Sequence, residues 1–338
     1  MVTDQAVQPR PSSALLAAVP AVVGVLVAFV VAIVQYAAID DGATKHLYGV
    51  DSFLGLPNVA VSVIFFSLFV AWFIGVGGGA LYRHGLYVAA IVVASLGTLY
   101  ELVVTIFNFS WVSVVLLIAA AVTLIFAVLG CRATVAADVQ PQVARADRPT
   151  AFGIVLVIAG LGGLAAAYNL SVDKVTAVLS PSTHLNCSFS ILVSCGDNLK
   201  SWQGALFGFP NPLIGLGGFA VTLLVGIAIL AGVKYPRWWM IAFNIAVMGA
   251  FAFIIFLIYS SVFVIGTLCV WCALVWLVTI PSFWLTTLGN LSNGNYAVNA
   301  RAQQFWKGAY TWTPLLTLLC YVVIFLLFQV HLNLLERL

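Results

Sequence analysis

Four cysteines have the types and spacing to do chemistry. Cys187 and Cys195 are separated by seven residues of a polar segment, and Cys269-Val270-Trp271-Cys272 stands at the head of a later apolar run. A CxxC pair at the start of a helix has two physical consequences. Free amide donors and the helix dipole stabilise a thiolate there, and a spacing of three puts both sulfurs on one helix face, close enough to bond to each other. Two such pairs on the same side of a membrane could pass electrons from one dithiol to the other by in-line thiolate attack. Two other chemistries use the same residues: a four-cysteine zinc site and a pair of structural disulfides. The Val-Trp spacer and the seven-residue gap disfavour a zinc clamp, and a CxxC disulfide closes too small a loop to add much stability. No metal is expected.

The elements that must position these thiols are membrane helices. The chain is 63% hydrophobic and 7% charged, whereas a soluble domain carries roughly a quarter charged residues. Nine apolar runs, at about 14–38, 56–79, 86–108, 110–130, 151–170, 211–233, 238–260, 264–288 and 311–333, are long enough to span hydrocarbon. Continuous runs of this kind form helices, because lipid leaves no partner for open backbone groups. The expected fold is an all-α polytopic membrane protein. The first run is too long for a signal-peptide core, and Gln35-Tyr36-Ala37-Ala38 is a poor cleavage site, so it reads as a retained helix.

Basic residues orient these spans. With a cytoplasmic N-terminus, nine Lys and Arg residues fall inside (among them Arg10, Arg83, Arg132, Lys234, Arg237, Arg301 and Lys307) and four outside (Lys45, Lys174, Lys200 and Arg337). That bias obeys the positive-inside rule and puts all four cysteines on the extracytoplasmic side, where disulfides persist. The net charge of +3 reflects these anchors and gives no nucleic-acid footprint. Cys131 and Cys320 fall at the cytoplasmic end of the fourth span and inside the ninth, and read as structural.

The chain reads as three parts: a four-helix unit over 1–130, a cytoplasmic linker over 131–149, and a five-helix domain over 150–338. Leu54-Gly55-Leu56-Pro57-Asn58 and Phe207-Gly208-Phe209-Pro210-Asn211 open corresponding helices, which suggests tandem units. Ser110-Trp111-Val112-Ser113 stands where the second half has its CxxC, and no cysteine precedes Cys131, so the first half cannot do thiol chemistry. Glu101 lies about two turns from the end of its helix. It is either solvated near the interface or neutral with a partner such as Tyr100, and it receives no role. Asn211 could cap the helix it opens, and His184 stands near Cys187 in a solvated stretch.

Taken together, Cys187-x7-Cys195, Ser201, Phe207-Gly-Phe-Pro-Asn211-Pro-Leu-Ile-Gly215 and Cys269-Val-Trp-Cys272 resemble the bacterial branch of the vitamin K epoxide reductase family over roughly 150–290. The first half then resembles a degenerate, cysteine-free repeat of the same unit. The resemblance implies a four-helix bundle enclosing a quinone (menaquinone or ubiquinone), with a fifth helix outside. It implies that Cys187 takes electrons from a reduced thioredoxin-fold partner and that Cys195 passes them to Cys269. Cys272 then delivers them to the quinone, an activity that supports disulfide bond formation. It also implies that Asn211 hydrogen-bonds a quinone carbonyl and that Ser201 lines the site. At the position four after the second CxxC cysteine some members have tyrosine; here it is Trp276, whose indole could donate or stack instead. The sequence ends at Leu338 without a thioredoxin-like domain, so a separate extracytoplasmic thiol oxidase is the expected partner. The expected location is the bacterial plasma membrane. Two other readings use the same features: a thiol-driven quinone epoxide reductase, and a non-enzymatic scaffold or transporter with structural disulfides.

Overall fold

The computed structural model describes residues 11–40, 52, 53, 56–77, 80, 82, 84–136, 149–179, 193–333 and 335. Cys187 and His184 lie outside the described residues, as does most of the expected linker. Among the described residues nine helices are long and apolar enough to cross a membrane, so the protein is an all-α polytopic membrane protein. The spans are α1 (Pro11–Asp40), α2 (Asn58–Gly77), α3 (His84–Phe107), α4 (Trp111–Ala136), α5 (Thr150–Leu179), α7 (Pro212–Leu230), α8 (Arg237–Tyr259), α9 (Val270–Ser292) and α11 (Thr313–Leu332). The short α6 (Gly196–Lys200) and the amphipathic α10 (Ala300–Thr311) connect them. The one sheet among the described residues is a two-residue antiparallel pair, β1 (Ser52–Phe53) with β2 (Leu56–Pro57), just before α2.

The chain packs as two units. One comprises Met1–Val157 and Leu216–Pro236; the other comprises Ile158–Gly215 and Arg237–Leu338. In the first, α1 lies along α2 and against α4, and α3 lies along α4. With lipid as apolar as leucine, helices in a membrane associate through close packing, and small residues permit it. Gly226 of α7 illustrates the point: a Cβ there would stand 2.8 Å from the Val157 amide nitrogen and 3.0 Å from the Gly153 carbonyl oxygen, so the two backbones meet directly. Glu101 is 2% exposed and accepts a 2.5 Å hydrogen bond from Ser62. Its partner is therefore Ser62; Tyr100 turns instead to the Asn58 side chain at 2.9 Å. The carboxyl is thus buried among protein groups and not solvated at the interface.

In the second unit α9 is central, with α8, α10 and α11 against it. Asn244 of α8 donates to Thr287 of α9 at 2.8 Å and accepts from Tyr296 at 2.7 Å. Tyr321 of α11 donates to the Leu277 carbonyl at 2.6 Å. The Asn244 bond fixes the end of α9 remote from the cysteines, and the Tyr321 bond holds the half nearer to them. At the cysteine end, α8 widens into a π-helical turn, Ser260–Ile265, and stops at Gly266, whose φ of 75° suits glycine. Leu268 then pairs with Val193 in an isolated parallel bridge. A Gly226→Val substitution forces a side chain into the α5–α7 backbone contact. It should lower unfolding stability by about 1–3 kcal/mol, read as a lower Tm in detergent.

Candidate active site

Every described residue of the site belongs to the second unit. Cys269 is the N-cap of α9: its backbone is extended, and its Sγ accepts a hydrogen bond from the Cys272 amide at 3.4 Å. The cap chemistry usually supplied by a serine oxygen is here supplied by sulfur. Cys195 caps the short α6. Its Sγ lies 2.9 Å from that of Cys269, across a separation of 74 residues in the chain. Cys195 is disulfide-bonded, whereas Cys269 and Cys272 are free thiols. One sulfur of a disulfide therefore faces a thiol within reach of attack.

The surroundings are dry. Cys195 and Cys269 are both 0% exposed, packed with Leu170 and Leu199 and bordered by Trp271 and Cys272. Burial alone would disfavour a thiolate. The Cys269 thiol is nevertheless held below its ordinary range, first by the Cys272 side chain donating to it and also by the Cys272 and Trp271 amides. Desolvation and the nearby Asp173 charge oppose the effect. The helix start thus does what its position promised, and the neighbouring thiol contributes most. Lys174, one residue on from Asp173, donates to the Leu199 carbonyl of α6 at 3.4 Å. Neither α5 residue carried a motif that would have marked it in the sequence.

Cys272 stands between two clusters. On one side is the Cys195–Cys269 cluster; on the other it borders Trp276, Ile254, Ile258, Ile280 and Phe328. Trp276 is 3% exposed, and its indole Nε1 is buried with no hydrogen-bond partner among the described residues. The same is true of Trp271. An orphaned buried donor in apolar surroundings fits an acceptor such as a quinone carbonyl.

Ser201 and Asn211 are brought together by a tight loop. Ser201 donates to the Asn198 carbonyl at 2.8 Å and accepts from the Gly204 amide, capping the 3-10 turn Trp202–Ala205. Asn211 donates from Nδ2 to the Gln203 carbonyl at 2.7 Å, and its Oδ1 accepts from the Leu206 amide at 3.2 Å. Its side chain closes the loop ahead of α7, and its backbone carbonyl accepts from Ile214 in the first turn. One Nδ2 hydrogen goes to Gln203 and the amide carries a second. No group of three metal-ligating side chains occurs among the described residues.

The dependence of the Cys269 thiolate on Cys272 is measurable. Without Cys272 as resolving thiol, attack by Cys269 on the Cys195 disulfide accumulates a Cys195–Cys269 mixed bond. Cys272→Ser retains a donor to Cys269 and Cys272→Ala does not, so the serine variant should reach half-maximal bond formation at a lower pH than the alanine variant. Non-reducing gels after acid quench and alkylation give the profile.

Residues 154–287 match the family model described as the vitamin K epoxide reductase family. No curated protein and no solved structure matches the chain. The matched segment holds Cys195, Ser201, Asn211, Cys269, Cys272 and Trp276, and it includes the dry thiol contact between α6 and α9. Residues 154–287 of this multi-pass membrane protein are thus similar to the vitamin K epoxide reductase family, a family of redox enzymes.

Proposed function

We propose that the protein is a quinone-dependent thiol–disulfide oxidoreductase that reoxidises a separate thioredoxin-fold thiol oxidase outside the cytoplasm and so supports disulfide bond formation. The observation that carries this reading is the 2.9 Å contact of the Cys195 and Cys269 sulfurs, with Cys195 in a disulfide and the inner pair as thiols. The bonding partner assigned to Cys195 is Cys187.

The route follows from thiol chemistry. A reduced partner exchanges with the Cys187–Cys195 disulfide, leaving that pair as thiols and the partner oxidised. The Cys195 thiolate then attacks Cys269 of an inner Cys269–Cys272 disulfide. The Sγ195–Sγ269 bond forms and Cys272 leaves as a thiolate. Attack by Cys187 on Cys195 regenerates the outer disulfide and frees Cys269. Two electrons have moved inward with no outside oxidant, and the thiol states in the structure correspond to this stage. Cys269 suits its part as leaving group because its thiolate is stabilised at the helix start.

A membrane quinone, menaquinone or ubiquinone, would accept the two electrons and two protons of the inner dithiol. The residues assigned to hold it are Trp276, through its unpaired indole N–H, Asn211, through its second amide hydrogen, and Ser201, lining the loop. Cys272 would face the quinone, since it borders the apolar cluster around Trp276. The bias of basic residues supports a cytoplasmic N-terminus, with the thiols on the opposite face of a bacterial plasma membrane.

The test is quinone absorbance while the purified protein is supplied with a reduced thioredoxin-fold oxidase. Wild type should reduce the quinone and Cys272→Ala should not; no reduction by wild type with either menaquinone or ubiquinone analogues would sink the proposal. Trp276→Phe retains the ring and loses the donor, so it should raise the KM for quinone about 3- to 10-fold while leaving exchange with the protein partner unchanged.

A further inference from the structure

The Cys195–Cys269 contact is bracketed by two cross-links between the segments that carry the sulfurs. On one side is the parallel bridge from Val193, two residues before Cys195, to Leu268, one residue before Cys269. On the other is the side chain of Asn198, three residues after Cys195. Its Nδ2 donates to Thr267 Oγ1, two residues before Cys269, at 3.2 Å. Its Oδ1 accepts from Ser261 Oγ, in the π-helical turn that ends α8, also at 3.2 Å. The Asn198 carbonyl accepts from Ser201 at 2.8 Å, and a Cβ on Gly204 would stand 2.3 Å from that oxygen, so the backbone of α6 is closely seated as well.

We infer that Asn198 is a positioning residue for thiol exchange: its amide ties the Cys195 segment to Ser261 and Thr267 and thereby holds the Cys195 sulfur in line with that of Cys269. This inference rests on the thiol relay proposed above and adds a residue that the relay chemistry does not itself require.

The physical argument is one of leverage and side-chain type. A bridge of one residue pair at Val193–Leu268 leaves the segment free to swing about it. A second attachment beyond the sulfur, on the far side of Cys195, removes that freedom. Asparagine is suited because one amide offers a donor and an acceptor in fixed relation, and both are engaged here by groups from the α8–α9 connection. The π-helical widening of α8 is the local irregularity beside the site, and Ser261 within it makes one of the two bonds. Exchange needs the attacking sulfur in line with the bond it breaks, and misplacement of reacting atoms by about 1 Å costs on the order of 100-fold in rate. The clamp therefore acts on rate more than on folding.

The test uses the full-length protein carrying Cys187→Ser and Cys272→Ser, with Cys131 and Cys320 replaced by alanine, so that Cys195 and Cys269 are the remaining thiols. Diamide supplies the oxidising equivalents for a Cys195–Cys269 disulfide, followed by quenched alkylation and gel shift. Asn198→Leu and, separately, Thr267→Val should slow bond formation about 10- to 100-fold, with a Tm close to that of the parent. Thr267→Ser, which retains the hydroxyl, should form the bond at the parent rate. Bond formation at the parent rate in both Asn198→Leu and Thr267→Val would overturn the positioning role and leave the relay standing. Slowing that merely follows a fall in Tm, without recovery in Thr267→Ser, would also overturn it. Failure of the parent itself to form the bond would remove the relay, and this inference with it.

Discussion

The transfer proposed between two cysteine pairs depends on one short sulfur–sulfur approach between segments far apart in the chain. The rest of the second unit can be understood as the means of holding it. Neither segment could do so alone: α6 is a five-residue helix, too short to be stable by itself, and Cys269 sits at the first cap of α9. The Val193–Leu268 bridge, Lys174 reaching Leu199, and the Asn198 bonds tie the segments around the two sulfurs together. Along α9, bonds from Asn244 to Thr287 near its far end and from Tyr321 to Leu277 nearer the cysteines keep the helix from sliding along α8 and α11.

Excluding water from this seat has opposing effects. Burial works against the charged thiolate, yet it strengthens every dipole aimed at the sulfur. For Cys269 the dipoles win: the thiol of Cys272 and two amides at the helix start outweigh desolvation and the charge of Asp173. Cys272, bordering both the thiol cluster and the apolar cluster around Trp276, is where the polar chemistry of exchange meets the hydrophobic interior. The indole N–H of Trp276, on that apolar side, has no hydrogen-bond partner among the described residues.

The start of α4 in the first unit is capped by oxygen where the start of α9 is capped by sulfur. Ser110 and Ser113 bond reciprocally at the start of α4, with N–H to Oγ distances of 3.1 and 3.0 Å, whereas at the start of α9 Cys269 accepts from the Cys272 amide. A hydroxyl makes the same kind of cap bond and cannot form a disulfide. Asn58 begins α2 and takes a hydrogen bond from Tyr100, whereas Asn211 spends its amide within its own loop. Similar motifs thus serve different local needs.

How much was legible in the sequence follows from the range over which each interaction acts. The membrane spans were readable because hydrocarbon imposes one rule, about 20 apolar residues in a row, and the chain obeys it nine times among the described residues. The placing of the CxxC near a helix start was readable from the apolar run that follows it, but not that Cys269 itself is the cap. Ser201 and Asn211 could be picked out by motif, but not the bonds through which they close their loop. Asn198, Thr267, Ser261 and Lys174 carried no mark, since a hydrogen bond between residues 63 or 69 positions apart leaves no periodicity to find. The burial of Glu101 against Ser62 was undecided for the same reason: depth along a helix can be counted, but which neighbour covers a side chain cannot. Sequence by itself determined the solvent, the helices and the kinds of atoms able to react. That Cys195 would meet Cys269 was already expected from the sequence; tertiary packing decided how closely the two sulfurs approach and what holds them, because ångström-scale placement is set by side chains from several helices at once.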